Sequence, residues 1–389
     1  MTGPSLLEPH VVLDADGDFW SRPGLDLCQR ELVTVAALCA LGRERRLAGH
    51  LRSARDAGVP REQLVEVIMQ MAIYAGWPAA VNGLLVARDV LAAEPTGAHV
   101  HHVGATRVTV VSDGHADLPA AMFAGGIGPA AVQQLLQRHS LASDPVRLSL
   151  NGLVLEHGGR LIVVDPGSGP ADSPHAHGLV TATMGQFMTN FRRAGFDPDL
   201  VDLVILTHAH HDHAGGVLSA DGGLAFPNAR VAISEPELVH WRDVGDYGEA
   251  TVPDALAAGG RALGVALTAA IAERVDWLVD EQEVVPGLRA LAAPGHSCGH
   301  TALLLEDGGE ALLLGGDFAT HEIVQLAAPA SHMVVDFDST QAIASRRRML
   351  RRASAAGHPV HAFHFAFPGI GHVSAREDGW AFDPLDGCG

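Results

Sequence analysis

Four apolar residues, Leu203-Val204-Ile205-Leu206, run straight into Thr207-His208-Ala209-His210-His211-Asp212-His213-Ala214-Gly215-Gly216. A short apolar run of this kind reads as a buried strand, and the two glycines read as the turn that closes the following loop. Imidazoles two residues apart at a strand end can converge on one metal ion. The Asp-His pair that follows can then face a second ion as the backbone turns. Three later segments have the same build. Pro294-Gly295-His296-Ser297-Cys298-Gly299-His300 follows an apolar run and offers His296. Leu312-Leu313-Leu314-Gly315-Gly316-Asp317 ends in a carboxylate, and His361-Ala362-Phe363-His364 offers His364. A carboxylate between two metals, with histidines on either side, is what a dinuclear hydrolase requires.

The rest of the chain sets bounds on this reading. At 389 residues it exceeds one ordinary domain, and 47% hydrophobic content provides for more than one core. A formal charge of −19 argues against nucleic acid or an anionic membrane as partner. All the basic residues are arginine, which excludes a Schiff-base or P-loop lysine. Cys28, Cys39, Cys298 and Cys388 have no framework spacing, as expected of a reduced cytoplasmic protein. Met1 to His10 carries no basic segment followed by an apolar run, so no signal peptide is expected. Nor is a stretch of about 18 apolar residues evident, so no membrane span is expected.

Periodicity divides the chain. Residues 1–18 read as a tail and 19–93 as an all-α domain of four helices. Asp26 can cap the first helix, Leu27 to Leu41, which Gly42 stops. A second covers Arg45 to Ala57. Pro60 opens a third, with Leu64, Val67, Ile68, Met71 and Ala75 on one stripe, and Gly76-Trp77-Pro78 separates it from a fourth. So few helices make a thin core, and a homo-oligomer through this domain is expected. Residues 94–106, with His99, His101 and His102, read as a solvated linker. From 107 to 389 strand patterns alternate with helical ones near 180–194, 255–272 and 340–356, which suits an αβ/βα sandwich.

The H-x-H-x-D-H segment with its later His, Asp and His resembles the metallo-β-lactamase superfamily over residues 107 to 386. That resemblance implies a hydrolase acting through two metal ions, expected to be zinc. It implies that His208, His210 and His296 hold one ion and Asp212, His213 and His364 the other, with Asp317 bridging and Asp212 also catalytic. Asp165, in Val164-Asp165-Pro166-Gly167, would support the site from behind, while His211, His300 and His372 would pack around it and Cys298 would be filler. The tail, with Val324-Gln325, Phe337-Asp338 and Phe365-Ala366-Phe367-Pro368-Gly369, resembles the methyl-parathion-hydrolase-like branch, which hydrolyses esters, lactones and phosphotriesters. Acyl-homoserine lactonases of the superfamily have Tyr three residues after the bridging Asp. Here that residue is Thr320, which speaks against quorum-signal hydrolysis.

Phe19-Trp20-Ser21-Arg22-Pro23-Gly24, Glu31-Leu32-Val33, Leu47-Ala48-Gly49-His50 and Tyr74-Ala75-Gly76-Trp77-Pro78 resemble the carboxymuconolactone decarboxylase family over residues 19 to 92. Its peroxidase relatives need a C-x-x-C pair, and Cys28 and Cys39 lie eleven apart. The resemblance implies cofactor-free decarboxylation, with His50 as proton donor and Glu31 and Glu66 orienting it or shuttling protons. Two functions are therefore expected. One is a bifunctional enzyme that decarboxylates a carboxylated γ-lactone and hydrolyses a lactone or ester. The alternative is a single-activity hydrolase whose helical domain only assembles subunits or binds ligand.

Overall fold

The structure is a computed structural model. It describes residues 24–57, 59, 61–91, 97–139, 141, 143–173, 181–250, 252 and 254–385. The expected tail, 1–18, and the Trp20-Ser21-Arg22-Pro23 segment lie outside the described residues. The described residues form two compact units, one of residues 24–91 and one of residues 97–385.

The first unit has four helices: α1 (Leu27–Ala40), α2 (Glu44–Asp56), α3 (Arg61–Ala75) and α4 (Trp77–Leu91). Asp26 starts α1 with a reciprocal cap. Its carboxylate accepts from the Gln29 N–H at 2.7 Å, and the Gln29 side chain accepts from the Asp26 N–H at 3.0 Å. Val35, Cys39, Leu47, Leu51, Leu64 and Ile68 fill a small core. That core leaves much apolar surface outside. Ile73 and Tyr74 are each 75% exposed and Trp77 is 65% exposed, around the junction of α3 and α4.

The second unit is a sandwich. Its first sheet runs, in order, β1 (Ala98–Val103), β2 (Thr106–Leu118), β3 (Val146–His157), β4 (Arg160–Val164), β5 (Leu203–Ile205), β6 (Arg230–Ile233) and β7 (Val275–Trp277). The second runs from β8 (Glu283–Val285) through β9 (Leu288–Ala292), β10 (Thr301–Asp307), β11 (Glu310–Leu314), β12 (Val360–His361) and β13 (Ile370–Ala375) to β14 (Trp380–Pro384). β4 to β7 are mutually parallel, as are β11 and β12. Leu153, Leu155, Ile162 and Ile205 of one sheet share a core with Leu303, Leu305, Leu312 and Leu314 of the other.

Seven helices complete the unit: α5 (Pro129–Arg138), α6 (Phe187–Arg193), α7 (His211–Ala214), α8 (Glu235–Asp243), α9 (Asp254–Ile271), α10 (Val324–Ala327) and α11 (Ser339–Ala356). Leu238 and Trp241 of α8 join Leu263, Leu267 and Ile271 of α9 and Phe191 of α6 in a core with Val204 and Val231 of the first sheet. Met349, Leu350 and Ala353 of α11 pack with Leu304, Leu313 and Val360 of the second. The layers are those of an αβ/βα sandwich.

Three expectations need correction. The linker assigned to 94–106 contains β1, whose residues pair with β2 from Ala98↔Val111 to Val103↔Thr106. Three histidines made this stretch look like solvated chain, but backbone pairing along the long β2 edge holds it as strand. Second, the helical pattern near 180–194 starts as helix only at Phe187. Third, α9 is long and apolar enough to cross a membrane by length and composition. Its buried residues Gly260, Leu263, Gly264 and Leu267 pack into a protein core, where a Cβ at Gly260 or Gly264 would meet Trp241 at 2.5 or 2.6 Å.

Exposed apolar side chains concentrated at one helix junction are expected to be covered by a second copy of the chain. Light scattering of the full-length protein should give a mass of two or more chains. Trp77→Glu should lower that mass without unfolding the protein, since Trp77 contributes little to its own core.

Candidate metal centre

The candidate ligands all follow strand ends at one edge of the sandwich. His208 and His210 follow β5, His296 follows β9, Asp317 follows β11 and His364 follows β12, while Asp212 and His213 sit on α7. The approach to Asp317 depends on Gly316. Its φ is +55°, and a Cβ there would lie 2.7 Å from His300 Nε2 and 2.9 Å from Thr207 Cβ.

The ligand atoms fall into three groups, each within 4.8 Å: His208, His210 and His296; His208, His213 and Asp317; and Asp212, His213 and His364. Asp317 lies between the others. Its Oδ1 is 3.3 Å from His213 Nε2, and its Oδ2 is 3.2 Å from His296 Nε2 and 3.1 Å from His364 Nε2. His364 Nε2 is 3.4 Å from Asp212 Oδ2. The structure thus brings together all seven residues named from the sequence. Six are at most 8% exposed, whereas the Asp212 side chain is 27% exposed.

These residues fit a metal centre. His208 Nε2, His213 Nε2 and Asp317 Oδ1 are buried without a hydrogen-bond partner, which would cost free energy unless something bound there. The separations of 3.1–3.4 Å match the edge of a tetrahedron with arms of about 2.0–2.1 Å, the zinc–nitrogen distance. Imidazole and carboxylate donors suit the same ion.

Burial and charge pull in opposite directions within the cluster. Burial, reinforced by neighbouring imidazoles, drives His208 and His210 well below the usual histidine range. Burial disfavours charge on His213 too, but the carboxylates of Asp317, Asp212 and Asp165 hold it well above that range. Asp317 is buried as well, yet His364, His213 and His296 keep its carboxyl well below the usual carboxylate range.

Outer contacts aim the ligands. His213 Nδ1 meets Asp165 Oδ2 at 2.9 Å, and Asp165 also accepts from the Thr207 N–H at 2.8 Å and the Thr207 hydroxyl at 2.6 Å. His296 Nδ1 meets Asp336 Oδ1 at 2.8 Å, and His364 Nδ1 meets the Ser149 carbonyl at 3.0 Å. Each contact leaves Nε2 for the centre. His300 Nε2 accepts from the Asp317 N–H at 2.9 Å, and burial holds this histidine down to about 3, so it supports Asp317 as a neutral acceptor. No local pattern in the sequence marks Asp336 as a partner of His296, 40 residues away. His372, expected to pack near the site, is exposed on β13 because its neighbours Gly371 and Val373 take the inward face. Cys298 lies 3.7 Å from Glu237 Oε2 and belongs to none of the ligand groups. Thr320 is buried, with its hydroxyl on Gln325 Oε1 at 2.9 Å.

The metallo-beta-lactamase superfamily matches residues 147–355. The chain belongs to that superfamily. An N-acyl homoserine lactonase of Bacillus cereus is 29% identical over 204 residues, 48% of this chain and 70% of that protein. Two solved structures share the superfamily domain's fold. A hydrolase of the beta-lactamase superfamily, AbOPH, has a TM-score of 0.66 at 26% identity, covering 75% of this chain and 98% of its own. AidC, a dizinc quorum-quenching lactonase solved with a product, has a TM-score of 0.68 at 23% identity, covering 75% and 99%. The helical unit matches the carboxymuconolactone decarboxylase family at residues 13–89. A 4-carboxymuconolactone decarboxylase of Acinetobacter baylyi is 46% identical over 74 residues, 19% of this chain. The chain spans 55% of that decarboxylase's length.

In the helical unit, the residues named for proton transfer are only partly assembled. Glu31 is fully buried on α1. One of its oxygens is 2.9 Å from His50 Nδ1, and the other accepts from the Ser53 hydroxyl at 2.7 Å. Glu66 is exposed on α3. Its helical position points outward while α1 and α2 face each other across Glu31. Ser53, three residues beyond His50 on the same helix face, was missed because a lone serine has no signature.

Asp336→Ala removes the acceptor that aims His296. Bound metal by elemental analysis and hydrolytic rate should both fall, by about 10–100-fold in affinity or activity, with Asp336→Asn milder because an amide oxygen can still accept from His296.

Proposed function

We propose that the chain is a bifunctional enzyme: a hydrolase of a lactone or ester that uses two metal ions, zinc by expectation, fused to a cofactor-free decarboxylase of a carboxylated γ-lactone. The observation that carries the hydrolase half is the position of Asp317, 3.1–3.3 Å from His213, His296 and His364, among donors that fall into groups with atoms within 4.8 Å of one another. Metal ions held by these residues would supply a water that ionises near neutral pH and positive charge to polarise a carbonyl. Asp212, the most exposed of the seven, is the group able to touch substrate and hand a proton to the departing oxygen. Asp165 and Asp336 fix His213 and His296, so the site is organised before substrate arrives. A lactone substrate is supported by the likeness to N-acyl homoserine lactonase.

In the helical unit, Glu31 is held by His50 and Ser53 and is buried, which makes it an orienting group rather than a free shuttle. His50, with a side chain 21% exposed, is the member that can reach a ligand. Decarboxylation breaks the bond between the ring carbon and its carboxylate. The electron pair passes through the ring double bond to the ring carbonyl, and His50 returns a proton to the ring, leaving an enol-lactone and carbon dioxide. Hydrolysis of that enol-lactone adds water to the carbonyl and expels an enolate, which becomes a ketone. An enolate leaves more readily than an alkoxide, so the threonine at position 320 weighs less against such a substrate. The exposure of Glu66 favours the second reading, a single-activity hydrolase with a helical unit for assembly.

Full-length protein given a carboxylated γ-lactone should release carbon dioxide and a ring-opened keto acid. Asp317→Ala, or chelator, should leave carbon dioxide release intact and let the enol-lactone accumulate. His50→Ala should slow decarboxylation by about 10²–10⁴-fold while leaving hydrolysis of supplied enol-lactone unchanged. No carbon dioxide from any carboxylated lactone tried, with hydrolysis intact, would establish the second reading instead.

A further inference from the structure

Glu237 is a fully buried carboxylate on the first turn of α8, and no step above uses it. Burying a carboxylate is tolerated only where hydrogen bonds replace its water. Its partners come from both loops that carry one ligand group. Oε1 accepts from the Ala209 N–H at 3.0 Å, between His208 and His210. Oε2 accepts from the Ser297 hydroxyl at 2.8 Å and the Gly299 N–H at 2.8 Å, just beyond His296. Trp241 Nε1 donates to Oε1 at 2.7 Å, and the indole meets the His210 ring edge-on at 5.4 Å between centroids. The same helix start grips the second loop again, since the Ser234 hydroxyl donates to the Gly299 carbonyl at 2.6 Å. Only glycine fits at 299, because a Cβ there would lie 2.4 Å from Ser234 Oγ and 2.7 Å from Glu237 Cβ.

Among the described residues Glu237 makes no hydrogen bond to Asp212, His213 or His364. Asp212, His213 and His364 are aimed by Asp165 and by the Ser149 carbonyl. We propose that Glu237 is a positioning residue that sets the register between the His208–His210 loop and the His296 loop, and so sets metal affinity at that group alone. The inference rests on the dinuclear reading. Gln cannot substitute. Its amide would turn a donor toward either the Ala209 and Trp241 N–H pair or the Gly299 N–H, and none of these can reverse.

The test is a stepwise cobalt(II) titration of metal-free protein, followed by absorption spectroscopy, with circular dichroism as the folding control. Wild type should take up two ions. Glu237→Gln should bind one with affinity within about 3-fold of wild type and the other about 10–100-fold more weakly. Raising cobalt should then restore the spectrum and the hydrolytic rate, a rescue that a general loss of packing would not give. If Glu237→Gln does not fold, Ser297→Ala removes one donor and keeps the charge. It should weaken the same ion by a smaller factor. Two ions bound with wild-type affinities in the folded variants would overturn the proposal. Equal weakening of both ions would overturn it too, since the effect would not be confined to one group. A wild type that takes up no cobalt would instead sink the dinuclear reading itself.

Discussion

Seven ionisable side chains held against one another, most of them away from water, form the interaction on which the rest of this unit depends. Desolvation alone would neutralise the histidines and protonate the carboxylates. The opposite happens at Asp317, where His364, His213 and His296 outweigh burial, and at His213, where Asp317, Asp212 and Asp165 do. At His208 and His210 burial wins. Neutral imidazoles at His208 and His210 beside the Asp317 carboxylate are donors of the kind a cation takes up. It holds together because its backbone is anchored at strand ends, where sheet pairing fixes Cα positions independently of what the side chains prefer.

The anchoring also explains the pattern of outer contacts. An imidazole that must present Nε2 needs a partner at Nδ1. Here the partners come from far along the chain: Ser149 for His364, 215 residues away, Asp165 for His213, 48 away, and Asp336 for His296, 40 away. Glu237 reaches Ser297 across 60 residues. The Ser149–His364 and Glu237–Ser297 contacts join ends of different sheets and so depend on the two sheets being stacked, whereas Asp165 and His213 follow the paired strands β4 and β5 of one sheet. The short, fully buried β5, Leu203–Ile205, lies at the middle of that dependence, parallel to both β4 and β6.

The same distinction decides what could be read in the chain. Local patterns were legible. The buried run before Thr207, the histidines at spacing two, the apolar strands ending in His296, Asp317 and His364, the Asp26 cap and the 18-residue α11 all show in a few consecutive residues. Partners defined only by long-range pairing were not. Asp336 and Glu237 sit in sequence that reads as ordinary loop and helix start, and they acquire meaning only against residues tens of positions away. β1 failed for a related reason. Its His99, His101 and His102 look solvated, and its strand state comes from pairing with β2. Glu66, named through the family resemblance and not through a local pattern, lies exposed on α3, while α1 and α2 meet around Glu31.

Chemistry orders the two proposed activities more firmly than architecture does. Loss of carbon dioxide needs somewhere to place an electron pair, and the intact ring carbonyl is that place. Opening the ring first would turn it into a carboxylate, a poor electron sink, and the decarboxylation would stall. Charge runs the same way. The chain carries −19 overall, so an anionic substrate is repelled at long range and drawn in only where local positive charge dominates. In the proposed sequence decarboxylation would remove one negative charge before the substrate meets Asp212 and Asp317, and ring opening would restore it as a new carboxylate. The enol-lactone would therefore reach that site carrying one charge fewer than either the starting lactone or the departing product.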